Sequence, residues 1–204
     1  MSATVSKSVL SEVLLPSEGT ALWVKRALLV CLGIAAMAVA SKIKVPVWPS
    51  PVPITMGTFA VLTIGAAYGP RLGLAAIMGY MLVGAFGFDV FASSGAERNG
   101  IAYMVGSTGG YLLGYVLATV ALGLFARRGW DRNVILMALA MLIGNALIYV
   151  PGVAWLGHLY AADKGWATVL DWGLWPFLIG DAVKLGLAAL LLPAAWKLVG
   201  AARG

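Results

Sequence analysis

The stretch from Gly173 to Leu192, GLWPFLIGDAVKLGLAALLL, is apolar except for Asp181 and Lys184, three residues apart. A helix needs about 20 predominantly apolar residues to cross a hydrocarbon core, so the stretch reads as a membrane span with two ionisable groups inside it. Insertion scales charge about 2.5 to 3.5 kcal/mol for each such group near mid-membrane, which obliges both to face protein or a watery cavity. At i and i+3 they share one helix face. With the span starting near Gly173 on the outer side, Asp181 lies roughly 12 Å along the helix at 1.5 Å per residue. Two readings stand: an ion pair that neutralises itself and locks the last helix into a bundle, or the polar end of a substrate site. The second is favoured because intramembrane ionisable residues are usually functional.

The rest of the chain agrees with a membrane setting. It has 204 residues, 61% of them hydrophobic and only 11% charged, where a soluble domain carries about 25% charged residues. Its 26 glycines suit membrane helices, in which small residues allow close backbone approach. The fold expected is all-α, an integral membrane protein surrounded by membrane lipid. The net charge of +6 comes from scattered basic residues that gather at helix ends, a topology signal rather than a nucleic-acid surface. Cys31 is the only cysteine and His158 the only histidine, and there is no Ser-His-Asp set, no HExxH and no carboxylate cluster. No metal or cofactor is expected, and an enzyme is the weaker class.

Six apolar blocks, near 24–41, 54–69, 71–88, 104–126, 134–157 and 174–200, predict six transmembrane helices in one domain over 24–204. Residues 1–23 read as a cytoplasmic tail, poorly ordered or lying on the surface. The second block is short and abuts the third at YGPRLG, where Pro70 between glycines marks a tight reversal. The first block, with Ala38-Val39-Ala40, has the outline of a signal peptide, but its leading region is long and acidic; it is expected to remain as the first helix. With the N-terminus inside, nine Lys and Arg fall on the cytoplasmic side (Lys7, Lys25, Arg26, Arg71, Arg127, Arg128, Arg132, Lys197, Arg203) and four outside (Lys42, Lys44, Arg98, Lys164). The positive-inside rule then puts both termini in the cytoplasm.

The outer loop GFDVFASSGAERNGIAYMVGSTGGYLLGY, residues 87–115, is long and rich in Gly and Ser, as functional loops often are. Its GSTGGY ending lacks the Lys-Ser/Thr of a phosphate-binding loop. Arg98 within it suits a bidentate clamp on a carboxylate, or is a solvated loop residue. Phe86, Phe88, Phe91, Tyr103 and Tyr111 edge the region as interfacial belt, core or site wall. Asn145 is a further polar residue inside a span, placed for an interhelical hydrogen bond or a ligand contact. In helix one, Ala36 and Ala40 form a small-xxx-small face that admits another helix, within the chain or from a membrane partner.

Several stretches in order, VPITMGTFAVL, GPRLG, VFA, GSTGGYLLGY, GNALIYVPGVAWL and PFLIGDAVKLGLAALL, resemble the BioY family, the substrate-binding S components of energy-coupling-factor (ECF) biotin transporters. The resemblance runs through most of residues 24–195. It implies a six-helix S-component fold in a bacterial cell membrane that binds biotin from the outer side. It further implies that the D-x-x-K motif of the last helix, here Asp181 and Lys184, contacts ligand, with Arg98 as the loop arginine. Gly57, Thr108, Tyr111 and Asn145 stand in the matching stretches and join the candidate substrate site. The same resemblance implies a T subunit and two ATPases as partners, with Ala36 and Ala40 as the docking motif. The chain departs from the family at Gly57, usually Gln, and at Ser107 and Asp89, both usually Pro. The first departure keeps another vitamin or a biotin precursor open as ligand. An intramembrane enzyme or assembly subunit with Asp181–Lys184 as a lock remains the reading from a different class.

Overall fold

The structure is a computed structural model that describes residues 8–14, 18–95 and 99–201. The elements are, in order, α1 (Leu10–Leu14), α2 (Gly19–Lys42), β1 (Lys44–Val45), β2 (Ile54–Thr55), α3 (Gly57–Ala85), α4 (Gly100–Met104), α5 (Gly109–Arg127), a 3-10 turn (Trp130–Arg132), α6 (Val134–Gly173) and α7 (Trp175–Ala201). The chain is thus almost wholly helical, as composition requires. Among the described residues, four continuous helical stretches are long and apolar enough to cross a membrane, and two of these contain a reversal or break.

The first reversal is in α3. Gly69 adopts φ 77, ψ 176, a conformation that a side chain resists, and Pro70 has no N–H to continue the preceding helix. A Cβ on Gly73 would lie 3.4 Å from the Cα of Gly65, whereas those residues would be about 12 Å apart along a straight helix. The arms 57–68 and 70–85 are therefore folded against each other, the tight reversal expected at YGPRLG. In α6, Gly165 has φ 79, and Trp172 lies with its ring centroid 5.8 Å from that of Tyr160. Residues 166–173 thus double back on the end of the long arm 134–164. The expected blocks map onto 19–42, the two α3 arms, α5, the long arm of α6, and α7.

Several boundaries differ from expectation; the block expected over 134–157 continues as α6 to Gly173. The block expected from residue 54 begins as strand: Lys44 pairs with Thr55 and Val45 with Ile54 in an antiparallel ladder, after a segment in which Pro51 and Pro53 bias the residues before them to extended backbone. The block expected from residue 104 begins at Gly109; the glycine-rich GSTGG separates it from α4. The tail expected over 1–23 is folded in its described part. Helix α2 starts at Gly19, and the apolar Val9 and Leu10 are buried against the bundle, Val9 beside the Gly69 reversal.

Helix α5 lies between α3 and α6, and glycine lets it approach both backbones. A Cβ on Gly123 would sit 2.3 Å from the nitrogen of Pro70, and one on Gly114 would sit 2.6 Å from the Cα of Ile148. The fully buried side chains include Tyr80, Phe91, Ile77, Leu122, Met141 and Ile148. Leu28 and Leu32 of α2 and Ile179, Val183 and Leu198 of α7 are exposed, an apolar exterior that water would penalise and lipid does not.

The described chain ends meet at one end of the bundle. Arg127 forms a bidentate pair with Glu12, Arg132 Nη2 donates to the carbonyl of Ser8 at 3.0 Å, and Trp196 Nε1 donates to Asp131 at 2.5 Å. The short hairpin and residues 86–95 and 99–108 cover the opposite end.

Candidate ligand-binding site

Beneath that opposite end lies a cavity enclosing about 590 Å³ of space, part of it open to solvent. Asp181 and Lys184 of α7 form one wall. Lys184 Nζ donates to the carbonyl of Thr55 at 2.6 Å, to Thr58 Oγ1 at 3.1 Å and to Asp181 Oδ1 at 2.9 Å. An ammonium has three protons, so its donors are all engaged within the protein. Asp181 Oδ1 also accepts from Thr58 Oγ1 at 3.3 Å, and Oδ2 accepts a short hydrogen bond from the Tyr149 hydroxyl. A carboxylate offers about four acceptor positions. Three are filled, and Oδ2 keeps one for an incoming N–H.

Local sequence explains this assembly. The i, i+3 spacing turns Asp181 and Lys184 to one face of α7. Strand β2, just before α3, leaves the Thr55 carbonyl outside the helix, and it becomes an ammonium acceptor. Thr58, in the first turn of α3, links the two charges by accepting from one and donating to the other. The charges are thus met by protein groups, which is what burial in an apolar span demands.

The remaining walls are aromatic and hydroxylic. Tyr80, Phe91, Tyr103, Tyr111, Tyr115 and Phe177 line the cavity; Phe91 and Tyr103 stack with centroids 4.8 Å apart. Their hydroxyls are held from behind: Tyr111 donates to the carbonyl of Gly173 at 2.8 Å, and Tyr80 and Ser41 share a 2.8 Å hydrogen bond. Burial pushes the Tyr103 phenol pKa up, against a lowering hydrogen bond with Thr108, so it stays a neutral donor.

Two lysines stand at the mouth. Lys44 Nζ donates to the carbonyl of Ala92, a cavity-lining residue, at 2.6 Å. Lys42 Nζ meets Asp89 Oδ1 at 2.5 Å, and Ser94 Oγ donates to the same oxygen at 2.6 Å. The hydrogen bond from Lys42, then that from Ser94, hold the Asp89 carboxyl below its ordinary pKa. The unplaced acid at position 89 thereby acquires a structural partner.

Of the residues singled out from sequence, Asp181, Lys184, Thr108 and Tyr111 line the cavity. Gly57 stands just behind its wall, where a Cβ would meet Tyr115 Oη at 2.9 Å and Thr55 Oγ1 at 3.0 Å. Asn145 does not line this cavity. It faces a lateral groove between α6 and α7 that shares Tyr149 and Asp181 with it, and its Oδ1 is buried without a hydrogen-bond partner among the described residues. Arg98 lies outside the described residues. Ala36 is exposed on α2 and Ala40 partly buried. Thr55, Thr58, Tyr115 and Tyr149 were not foreseen. For Tyr149 a signal existed: it follows Asn145 by four residues, on nearly the same helix face.

Residues 8–201 match the model of the BioY family. A probable biotin transporter BioY of Pyrococcus horikoshii is 36% identical over 167 residues, covering 82% of this chain and 93% of that protein. A biotin transporter BioY of Thermotoga maritima is 33% identical over 157 residues, 77% of this chain and 87% of its own. A crystal structure of the S-component for biotin from an ECF-type ABC transporter superposes with a TM-score of 0.76 at 20% sequence identity, covering 89% of this chain and 95% of that one. That superposition shows the S-component fold.

Proposed function

The chain belongs to the BioY family, and on that premise we propose that it is the substrate-binding subunit of a biotin uptake transporter. The observation that carries the reading is the acceptor position left on Asp181 inside an aromatic-walled cavity. Biotin has a ureido ring with two N–H donors and a carbonyl, an apolar thiophane and a valerate carboxylate. A ureido N–H fits the open position on Asp181 Oδ2, the ring system fits among Phe91, Tyr103, Tyr111 and Phe177, and the valerate extends toward Lys44 at the mouth. Lys184 already spends its protons on Thr55, Thr58 and Asp181. It therefore acts first by holding the Asp181 carboxylate in position, and meets ligand directly only if it gives up one of those bonds.

Capture occurs at the outer face, with both termini cytoplasmic; this sidedness is supported by the excess of Lys and Arg at the opposite end of the bundle. An ECF module of a T subunit and two ATPases supplies the energy, and the Ala36–Ala40 face of α2 is the proposed contact for the T subunit. The protein itself returns ligand unchanged.

The test is equilibrium binding of biotin to the detergent-purified protein, beside Asp181→Asn and Lys184→Met. Loss of a buried, hydrogen-bonded charge partner costs about 2 to 5 kcal/mol, so both variants should weaken binding by roughly 30-fold or more while remaining folded. Folded, monodisperse wild type that does not bind biotin would sink the assignment. If it binds biotin and the folded variants bind equally well, the pair is a structural lock.

A further inference from the structure

At the end of the bundle away from the ligand cavity, α1, α2, α3 and α5 enclose a second basin, with about 860 Å³ of open space. Lys25, Arg26, Arg71 and Arg127 line it against one carboxylate, Glu12. Both oxygens of Glu12 are bonded to Arg127. Burial raises the Glu12 pKa, but the hydrogen bonds from Arg127 and the Val9 N–H, with the charges of Arg127 and Lys25, outweigh it and hold the carboxyl below its ordinary value. The acid is thus ionised and engaged by Arg127, and the basin keeps a surplus of positive charge.

Its other walls are apolar: Leu22 and Leu29 of α2 and Leu72 of α3. Both helices continue from there along an exposed apolar exterior, Leu28 and Leu32 on α2 and Met78 and Leu82 on α3. The depth is marked by Trp23, which is exposed, with the Arg26 guanidinium 5.3 Å from its ring centroid. Tryptophan paired with a cation is characteristic of the headgroup level of a bilayer. Concentrated positive charge above a leucine wall at that level suits a ligand with an anionic head and a hydrocarbon tail.

We propose that this basin binds the phosphate of an anionic glycerophospholipid, with the acyl chain lying along the α2–α3 groove below it. Arg26 and Arg71 approach the phosphate from two different elements. Arg127 closes the far side while remaining tied to Glu12, so α1 is held in place as part of the wall. Occupancy would fix α2 against the α3 reversal at this end of the bundle, without touching the ligand cavity.

The experiment titrates the purified full-length protein with phosphatidylglycerol, and separately with phosphatidylcholine of the same acyl chains, counting bound lipid by native mass spectrometry. Phosphatidylglycerol should bind the more tightly. Arg26→Gln with Arg71→Gln should weaken it by about 25-fold, roughly fivefold for each cation removed near the surface, and leave phosphatidylcholine unchanged. Circular dichroism checks that the double variant is folded, and the wild-type comparison stands without it. Equal wild-type affinities for the two lipids would overturn the proposal, and so would a folded double variant that retains the full preference. Soluble glycerol 3-phosphate should not displace the lipid; displacement would make this a site for soluble phosphate monoesters and reject the lipid.

Discussion

Lys42 Nζ lies 2.5 Å from Asp89 Oδ1, tying the end of α2 to the loop that roofs the ligand cavity. Both groups are partly solvated, so the tie is a latch rather than a foundation of the fold. Exposed ion pairs contribute up to about 1 kcal/mol. Asp89→Asn or Lys42→Ala should therefore speed biotin release by no more than about fivefold, measured by competition with unlabelled ligand, and should leave the thermal midpoint unchanged. The Asp89 carboxyl titrates below its ordinary value of 3.8. Because its folded pKa is depressed, the latch is fully present above that value and is lost as the pH falls through the lower folded value. Its contribution to release should be flat from pH 5 to 8; a change in that window removed by Asp89→Asn would contradict the assignment.

The Tyr149 hydroxyl donates to Asp181 Oδ2, the oxygen that keeps an open acceptor position. Tyr149→Phe removes a hydrogen bond to a charged group, worth about 1.5 to 3 kcal/mol. It should lower the thermal midpoint of the ligand-free protein yet leave biotin binding measurable, since the freed lone pair can still accept a ureido N–H. Complete loss of binding by folded Tyr149→Phe would show that the phenol itself holds the ligand.

Gly57 leaves space for Tyr115. Gly57→Ala would bring a Cβ to 2.9 Å from Tyr115 Oη and 3.0 Å from Thr55 Oγ1, so the phenol must shift. Biotin affinity should fall in Gly57→Ala, and Tyr115→Phe in the same chain should recover part of the loss by removing the crowded oxygen. A double-mutant cycle measures this coupling. Additive effects would mean that the two positions do not touch.

The contact of α5 with α6 depends on Gly114, where a Cβ would sit 2.6 Å from the Cα of Ile148 and 2.8 Å from its carbonyl. These are backbone atoms and cannot rotate aside. Gly114→Ala should cost about 1 to 3 kcal/mol by overpacking, seen as a lower midpoint in thermal unfolding of the detergent-solubilised protein. An unchanged midpoint would mean that the helices part easily there.

The main lines of the fold were legible because they follow from rules local to the chain. Apolar length marks spans, and Gly69-Pro70 marks a reversal wherever it occurs. Asp181 and Lys184 were legible for the same reason, since charge inside an apolar run is conspicuous without any neighbour. Thr58, Tyr115 and Tyr149 were not, because a threonine or tyrosine is ordinary in a span until its hydroxyl is seen to meet a charge. Asn145, equally conspicuous in sequence, turned out to face the lateral groove: polarity inside a span says that a residue needs a partner, and not on which side of its helix the partner stands.

By itself the sequence determined that this is a multi-pass helical membrane protein with a charged pair to be sheltered, because burying backbone and charge in lipid leaves few alternatives. Only the tertiary structure decided how the pair is sheltered. Lys184 reaches 129 positions back along the chain to the carbonyl of Thr55, and Asp181 meets Tyr149 from another helix. Such contacts depend on helix rotation and close approach at a few glycines, quantities summed over the whole bundle that no local stretch encodes.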